Sequence, residues 1–167
     1  MTTIANFTCK NSWGDNQIRL FQDLNEIGFI KTKGWTGSSF IGMLKGTTYL
    51  FESKGVLSND FNVFDEQYQL VESIQYSYWK STVKVFFENR ELLWRPTNLF
   101  QTKWELVDEN GLIVKLDSDF NTGNLISSNE NEFLSFLAMF LKFKYSIAVT
   151  TIISIIAILM SLTALML

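Results

Sequence analysis

Histidine is absent from this 167-residue chain, and cysteine and proline occur once each. Without histidine there is no Ser-His-Asp or Cys-His nucleophile system, no His-ligated zinc, and no use of the commonest general base. A single cysteine, Cys9, excludes an intramolecular disulfide and any Cys-rich metal site, so a reducing compartment is the simplest setting for the folded part. Cys9 also lacks a His or Cys partner that would activate it. Lys plus Arg total 14 against 17 Asp plus Glu, and a net charge of −3 supplies no electrostatic footprint for nucleic acid. Neither a Walker loop nor a dinucleotide fingerprint occurs. Aromatic residues, by contrast, make up 15% of the chain, with 15 Phe and 5 Trp. That is enough for a sizeable core in a chain with room for one ordinary domain and an appendage.

Every charged residue lies between Lys10 and Lys144, leaving Tyr145 to Leu167 as one uncharged run of Ile, Leu, Ala, Val and Met. As a helix, these roughly 23 residues extend about 34 Å, against a bilayer hydrocarbon core of about 30 Å. The run is therefore read as a single membrane span. Its interruptions are only Ser146, Thr150, Thr151, Ser154, Ser161 and Thr163, whose hydroxyls can bond carbonyls one turn earlier and so cost little in lipid. Lys142 and Lys144 precede the span and no positive charge follows it, which places the amino-terminal domain in the cytoplasm. Met1 to Lys10 shows no apolar stretch or basic leader of the signal-peptide kind. The Asn6-Phe7-Thr8 triplet is accordingly read as a chance match to the glycosylation pattern.

Between Ile18 and Ser127, short apolar runs alternate with turn residues, the pattern of a mainly β meander sheet or barrel. The strand candidates are Ile18 to Phe21, Gly28 to Thr32, Phe40 to Leu44, Thr48 to Glu52, Phe61 to Phe64 and Gln69 to Gln75. They continue with Tyr78 to Glu88, Glu91 to Arg95, Lys103 to Val107, Leu112 to Leu116 and Leu125 to Ser127. Asn110-Gly111 is a two-residue hairpin signal, and Lys54-Gly55 and Glu88-Asn89 separate apolar runs. Pro96 follows Trp94-Arg95, where a strand can end without losing an interior ladder bond.

One hairpin recurs. Phe61-Asn-Val-Phe-Asp-Glu-Gln-Tyr-Gln-Leu-Val-Glu aligns without a gap on Trp104-Glu-Leu-Val-Asp-Glu-Asn-Gly-Leu-Ile-Val-Lys, and Arg19 to Ile30 is a looser copy. After the last hairpin, Asp117-Ser-Asp-Phe-Asn-Thr-Gly-Asn leads through the polar stretch Ser127 to Glu132 into Phe133-Leu-Ser-Phe-Leu-Ala-Met-Phe-Leu-Lys-Phe-Lys144. In this order of elements, over roughly Ile18 to Lys144, the chain resembles the tubby-like group that includes the phospholipid scramblases. The resemblance implies a closed barrel of about twelve strands around a hydrophobic helix near the carboxyl end. Here that helix is followed by a further apolar run, which departs from the family pattern.

Residues 1–130 are thus assigned to a β-barrel, 131–144 to a hydrophobic helix and 145–167 to a transmembrane anchor. Two arrangements fit this division. In the first, Phe133 to Phe143, apolar on nearly every face, plugs the barrel, Lys142 and Lys144 emerge at the rim and the span starts outside. In the second, one helix runs continuously from about Asn131 to Leu167.

Asp117, Asp119 and Asn121 place oxygen ligands at alternate positions with Gly123 behind them, the way a flexible loop wraps a weakly bound Ca²⁺. Scramblases carry a similar acidic stretch before their helix, and the resemblance implies the same ion here; the opposing reading is a solvated turn. No other cofactor is expected. Lys31 and Lys33, Lys80 and Lys84, and Arg90 and Arg95 are scattered bases, which the tubby resemblance would turn toward phosphoinositide head groups and which otherwise protect strand edges. Lys142 and Lys144 are the membrane-proximal bases expected to attract anionic lipid. Trp79, Trp94 and Trp104 fall in strands and are assigned to the core, whereas Trp13 and Trp35 fall in loops, from which Trp35 could reach the membrane interface. The pairs Asp65-Glu66 and Asp108-Glu109 belong to turns, where adjacent side chains diverge, and do not make a catalytic acid and base.

The expected function is a non-enzymatic one: a membrane-anchored barrel of tubby or scramblase type that binds lipid, including anionic phospholipid, or protein at the cytoplasmic surface. An unrelated β-rich protein-interaction domain on a tail anchor is the alternative. An enzyme using carboxylates or Lys alone is the third class, for which no convergent site is visible.

Overall fold

The computed structural model of the chain describes residues 4–34, 37–55, 60–77, 82–119, 121–128 and 131–165. Among these are twelve strands: β1 (Ala5–Ser12), β2 (Gln17–Gln22), β3 (Asn25–Thr32), β4 (Ser39–Leu44), β5 (Thr47–Ser53), β6 (Phe61–Phe64), β7 (Leu70–Ser77), β8 (Thr82–Phe87), β9 (Arg90–Pro96), β10 (Lys103–Asp108), β11 (Gly111–Ser118) and β12 (Thr122–Ser127). One helix follows them, α1 (Glu132–Leu165). Each strand pairs antiparallel with its sequence neighbours, and β1 closes the barrel on β12, with Phe7 opposite Leu125 and Cys9 opposite Gly123. The fold is a meander barrel, as the alternation implies.

Alternation sets the two faces. In β8, Val83, Val85 and Phe87 turn inward while Lys84 and Phe86 turn outward, and in β2 Ile18 and Leu20 are the inward pair. A barrel of this strand number is too wide for its own side chains to fill, since about eight strands already give an interior only just wide enough. A helix with its side chains is about 10–12 Å across and fits the remaining space. The first part of α1 occupies it: Phe133, Leu134, Phe136, Leu137, Ala138, Met139, Phe140, Leu141 and Phe143 are all buried. Phe140 stacks on Phe51 at 4.1 Å and stands edge-on to Phe40 at 5.2 Å and Phe61 at 5.6 Å.

The polar approach to the helix has a local task. Asn131 caps it, its Oδ1 accepting from the Phe133 N–H at 3.0 Å. Glu132 sits in the first turn, where the helix dipole favours an anion, and lies 2.7 Å from Lys45 Nζ in the β4–β5 turn. Helix entry is thereby tied to one end of the barrel.

The repeated hairpins prove alike in detail. Asp65 Oδ1 accepts from the Gln67 and Gln69 N–H groups, and Asp108 Oδ1 accepts from those of Asn110 and Gly111. Both hairpins also carry a register irregularity at the equivalent place, Val63/Phe64 and Leu106/Val107. The Asn110-Gly111 signal is displaced by one residue. Asp108 pairs with Gly111, which has φ +126°, so Glu109 and Asn110 make the turn. Glu88 and Asn89, with φ of 48° and 62°, form the expected tight connection.

Two expectations about extent are revised. The sequence reading begins its strands at Ile18, whereas β1 precedes them and supplies the barrel closure. Of the candidate strand Tyr78 to Glu88, β8 occupies Thr82–Phe87, and residues 78–81 lie outside the described residues.

Candidate membrane-facing rim

Strand direction sorts the connections onto two ends of the barrel. The β2–β3, β4–β5, β6–β7, β8–β9 and β10–β11 turns lie at the end where α1 enters. The β1–β2, β3–β4, β5–β6, β7–β8, β9–β10 and β11–β12 connections lie where it leaves.

α1 leaves the barrel without a break. Its 34 residues run on from the buried segment, and from Thr151 onward the side chains described are exposed, including Ile152, Ile153, Ile155, Ile156, Ile158, Leu159, Met160 and Leu162. It is the one helix among the described residues that is long and apolar enough to cross a membrane. The hydroxyls do what the sequence suggests. Ser146, Thr150, Thr151, Ser154 and Ser161 donate to the carbonyl four residues back, and Thr163 to that of Met160. Each polar side chain on the exposed stretch is thus satisfied within the helix.

Lys142 and Lys144 do not stand free at the rim. Lys142 is only 9% exposed, with Nζ 5.4 Å from the centre of the Tyr145 ring. Burial lowers its pKa, opposed by the nearby carboxylate of Asp119. Lys144 Nζ donates to the Gly37 carbonyl at 3.1 Å and lies over the rings of Phe61 and Phe40 at 5.1 and 5.8 Å. Long stems packed on aromatic faces with the ammonium held by a carbonyl or a ring explain how two lysines fit inside the barrel mouth. The expectation that both emerge at the rim is revised for Lys142, which stays buried, whereas Lys144 is half-buried against the β3–β4 connection at that rim.

At the acidic loop, Asp119 Oδ1 accepts from the Asn121 and Thr122 N–H groups at 2.8 and 2.6 Å, and Oδ2 from Thr122 Oγ1 at 3.0 Å. These bonds hold its carboxyl below the usual range. Asp117, back on β11, pairs with Lys103 at 3.4 Å. Among the described residues no three His, Cys, Asp or Glu side chains converge as metal ligands. The carboxylates expected to wrap Ca²⁺ are therefore engaged in the turn and in a cross-strand ion pair. Three of the scattered bases are in ion pairs: Lys84 with Glu91 at 2.7 Å, Arg95 with Glu105 at 2.6 Å, and Arg90 with Glu88 and Asp108 at 3.5 Å. Lys31 lies over Phe29.

Trp94 and Trp104 are buried and stacked at 5.5 Å, matching their core assignment; Trp35, Trp79 and Lys80 lie outside the described residues.

Sequence reasoning missed the β9–β10 turn. Asn98 Oδ1 accepts from the Thr102 and Lys103 N–H groups, both at 3.0 Å, and its Nδ2 donates to Thr102 Oγ1 at 2.8 Å. The Gln101 N–H closes onto the Asn98 carbonyl at 3.1 Å, with Gln101 at φ 52°. This ordered turn displays two large apolar side chains, Leu99 at 98% and Phe100 at 88% exposure. Leaving such side chains in water forgoes about 1.5–3 kcal/mol each relative to burial. The turn is also braced to the helix: Trp104 Nε1 donates to the Gln101 carbonyl at 2.6 Å, and the Trp104 ring stands edge-on to Tyr145 at 5.0 Å.

No model of a protein family matches this chain, and no curated protein does. An X-ray structure of a protein from Arabidopsis thaliana is similar in fold, with a TM-score of 0.59 at 11% identity, covering 84% of this chain and 91% of that one. At that identity the likeness concerns the fold alone.

Proposed function

We propose that this chain is a non-enzymatic, single-pass membrane protein whose barrel is held at the bilayer surface to bind lipid or protein there. The observation that carries this reading is the continuity of α1, whose first part is barrel core and whose last part is exposed and apolar. A helix seated among Phe40, Phe51 and Phe61 cannot leave the barrel without exposing that core. The anchor and the folded domain are therefore one mechanical unit rather than a domain on a flexible leash. Lys142 and Lys144, next to the span, favour the cytoplasm for the barrel, and the order of elements shared with the tubby-like and scramblase group favours a lipid surface as its ligand.

Alkaline carbonate extraction of membranes from expressing cells is the test. The full chain stays in the pellet and is released by detergent, and protease added to sealed, right-side-out cells leaves the barrel intact. Full recovery in the carbonate supernatant would overturn the anchor.

A further inference from the structure

We propose that the β9–β10 turn is a second membrane contact, with Leu99 and Phe100 inserted among lipid chains beside the emerging helix. This rests on the anchored reading above and adds the face by which the barrel lies on the bilayer.

Continuity with the span is the first argument. The uncharged run starts at Tyr145, still packed on Trp104, and by Thr151 the helix is fully exposed. Those six residues rise only about 9 Å, so the rim and the lipid headgroups share the same layer. The turn belongs to this rim and is fastened to the base of the span through Gln101, Trp104 and Tyr145. The second argument is the turn's construction. Its backbone and its Asn98 side chain bond one another, which leaves only apolar side chains at the tip. A preformed turn needs little ordering when it inserts. A helix alone lets the barrel rotate about the span; a second contact off the axis fixes that rotation.

The test uses the full chain in phosphatidylcholine nanodiscs, carrying Phe100→Cys or Leu99→Cys labelled with an environment-sensitive fluorophore. Leu24→Cys is the reference, since Leu24 is 95% exposed in the β2–β3 turn at the opposite end. The native Cys9 is buried and does not compete for label. In discs, labels at positions 99 and 100 become several-fold less accessible to iodide than the label at position 24, and are quenched by nitroxides placed on the acyl chains. Equal iodide access at both ends overturns the inserted turn while leaving the anchor standing. Shielding from iodide without acyl-chain quenching points to protein contact and also overturns it. Failure of the chain to co-elute with discs overturns the anchor and the turn together.

Discussion

Gly42 on β4 and Phe136 on the helix meet so closely that a Cβ at position 42 would lie 2.6 Å from Phe136 Cζ. Ile30 and Phe51 close the same notch at 3.1 and 3.2 Å. The glycine is thus a seat cut into the barrel wall for one ring of the plug, and overpacking such a site typically costs about 1–3 kcal/mol. Gly42→Val is expected to lower stability by that amount in denaturant titrations of the detergent-solubilised chain. Adding Phe136→Leu recovers part of the loss, a coupling that two independent lesions would not show. Strict additivity would mean that the ring does not occupy the notch.

Glu72 gives the barrel a pH dependence of known sign. It faces inward from β7 at 2% exposure, and neither carboxyl oxygen has a hydrogen-bond partner among the described residues. Burial, with the nearby charge of Glu88, pushes its pKa up to about 8 from 4.5. Below about 4.5 the carboxyl is neutral in both folded and unfolded chains, so it imposes no penalty. Between there and about 8 the unfolded chain ionises while the folded one keeps its proton, and stability falls steadily with rising pH before levelling off. Midpoints measured from pH 5 to 9 should show this decline, and Glu72→Gln should flatten it. An unchanged profile in the variant would show that Glu72 ionises freely in the barrel.

Strands whose inward positions hold large apolar residues, such as β6 with Phe61 and Val63, are visible in the sequence. β1 is not, because its inward apolar side chains, Phe7 and Cys9 with the small, partly buried Ala5, are set among polar neighbours, and its place depends on pairing with β12 and β2 across the chain. β12 likewise starts at Thr122, ahead of the apolar run, since its next inward position is Gly123, a residue whose alternation leaves no mark in composition. The uncharged run and its self-bonded hydroxyls are legible, being local. The lysines at 142 and 144 mimic a break between plug and span, yet aromatic rings and the Gly37 carbonyl receive them within one helix. Leu99 and Phe100 pass unnoticed because only the Asn98 bonds reveal that they are held outward.

Asp119 is expected to act as a turn-former with the opposite pH sign to Glu72. Its carboxylate accepts three hydrogen bonds that depress its pKa, so the stability it adds is present above the usual Asp value and lost as pH falls through the depressed one. Asp119→Ala should lower the melting temperature at neutral pH and narrow the gap to wild type in acid. Because these lone pairs are taken and Asp117 faces Lys103, Ca²⁺ in the range about 10⁻⁴ to 10⁻³ M should leave the wild-type melting temperature unchanged. A Ca²⁺-dependent rise absent from Asp119→Ala would restore the ion-binding loop.

Cys9 offers a clock for opening of the barrel. Its thiol is buried on β1 opposite Gly123 of β12, at the strand pair that joins the two ends of the meander, and a Cβ on that glycine would lie 2.8 Å from Cys9 Sγ. Burial pushes the thiol pKa up to about 12, so at neutral pH a thiol reagent meets neither an accessible sulfur nor a useful fraction of thiolate. Labelling must wait for the β1–β12 seam to part. If parting requires withdrawal of the helix that fills the barrel, weakening the plug accelerates labelling in proportion. Phe140 stacks on Phe51 at 4.1 Å, and truncating such a core ring to Ala costs about 3–5 kcal/mol. With about 1.4 kcal/mol for each factor of ten, Phe140→Ala should raise the labelling rate by roughly two to three and a half orders of magnitude under folded conditions. A rate that stays near wild type while the global midpoint falls would show that the seam opens locally, with the helix still in place.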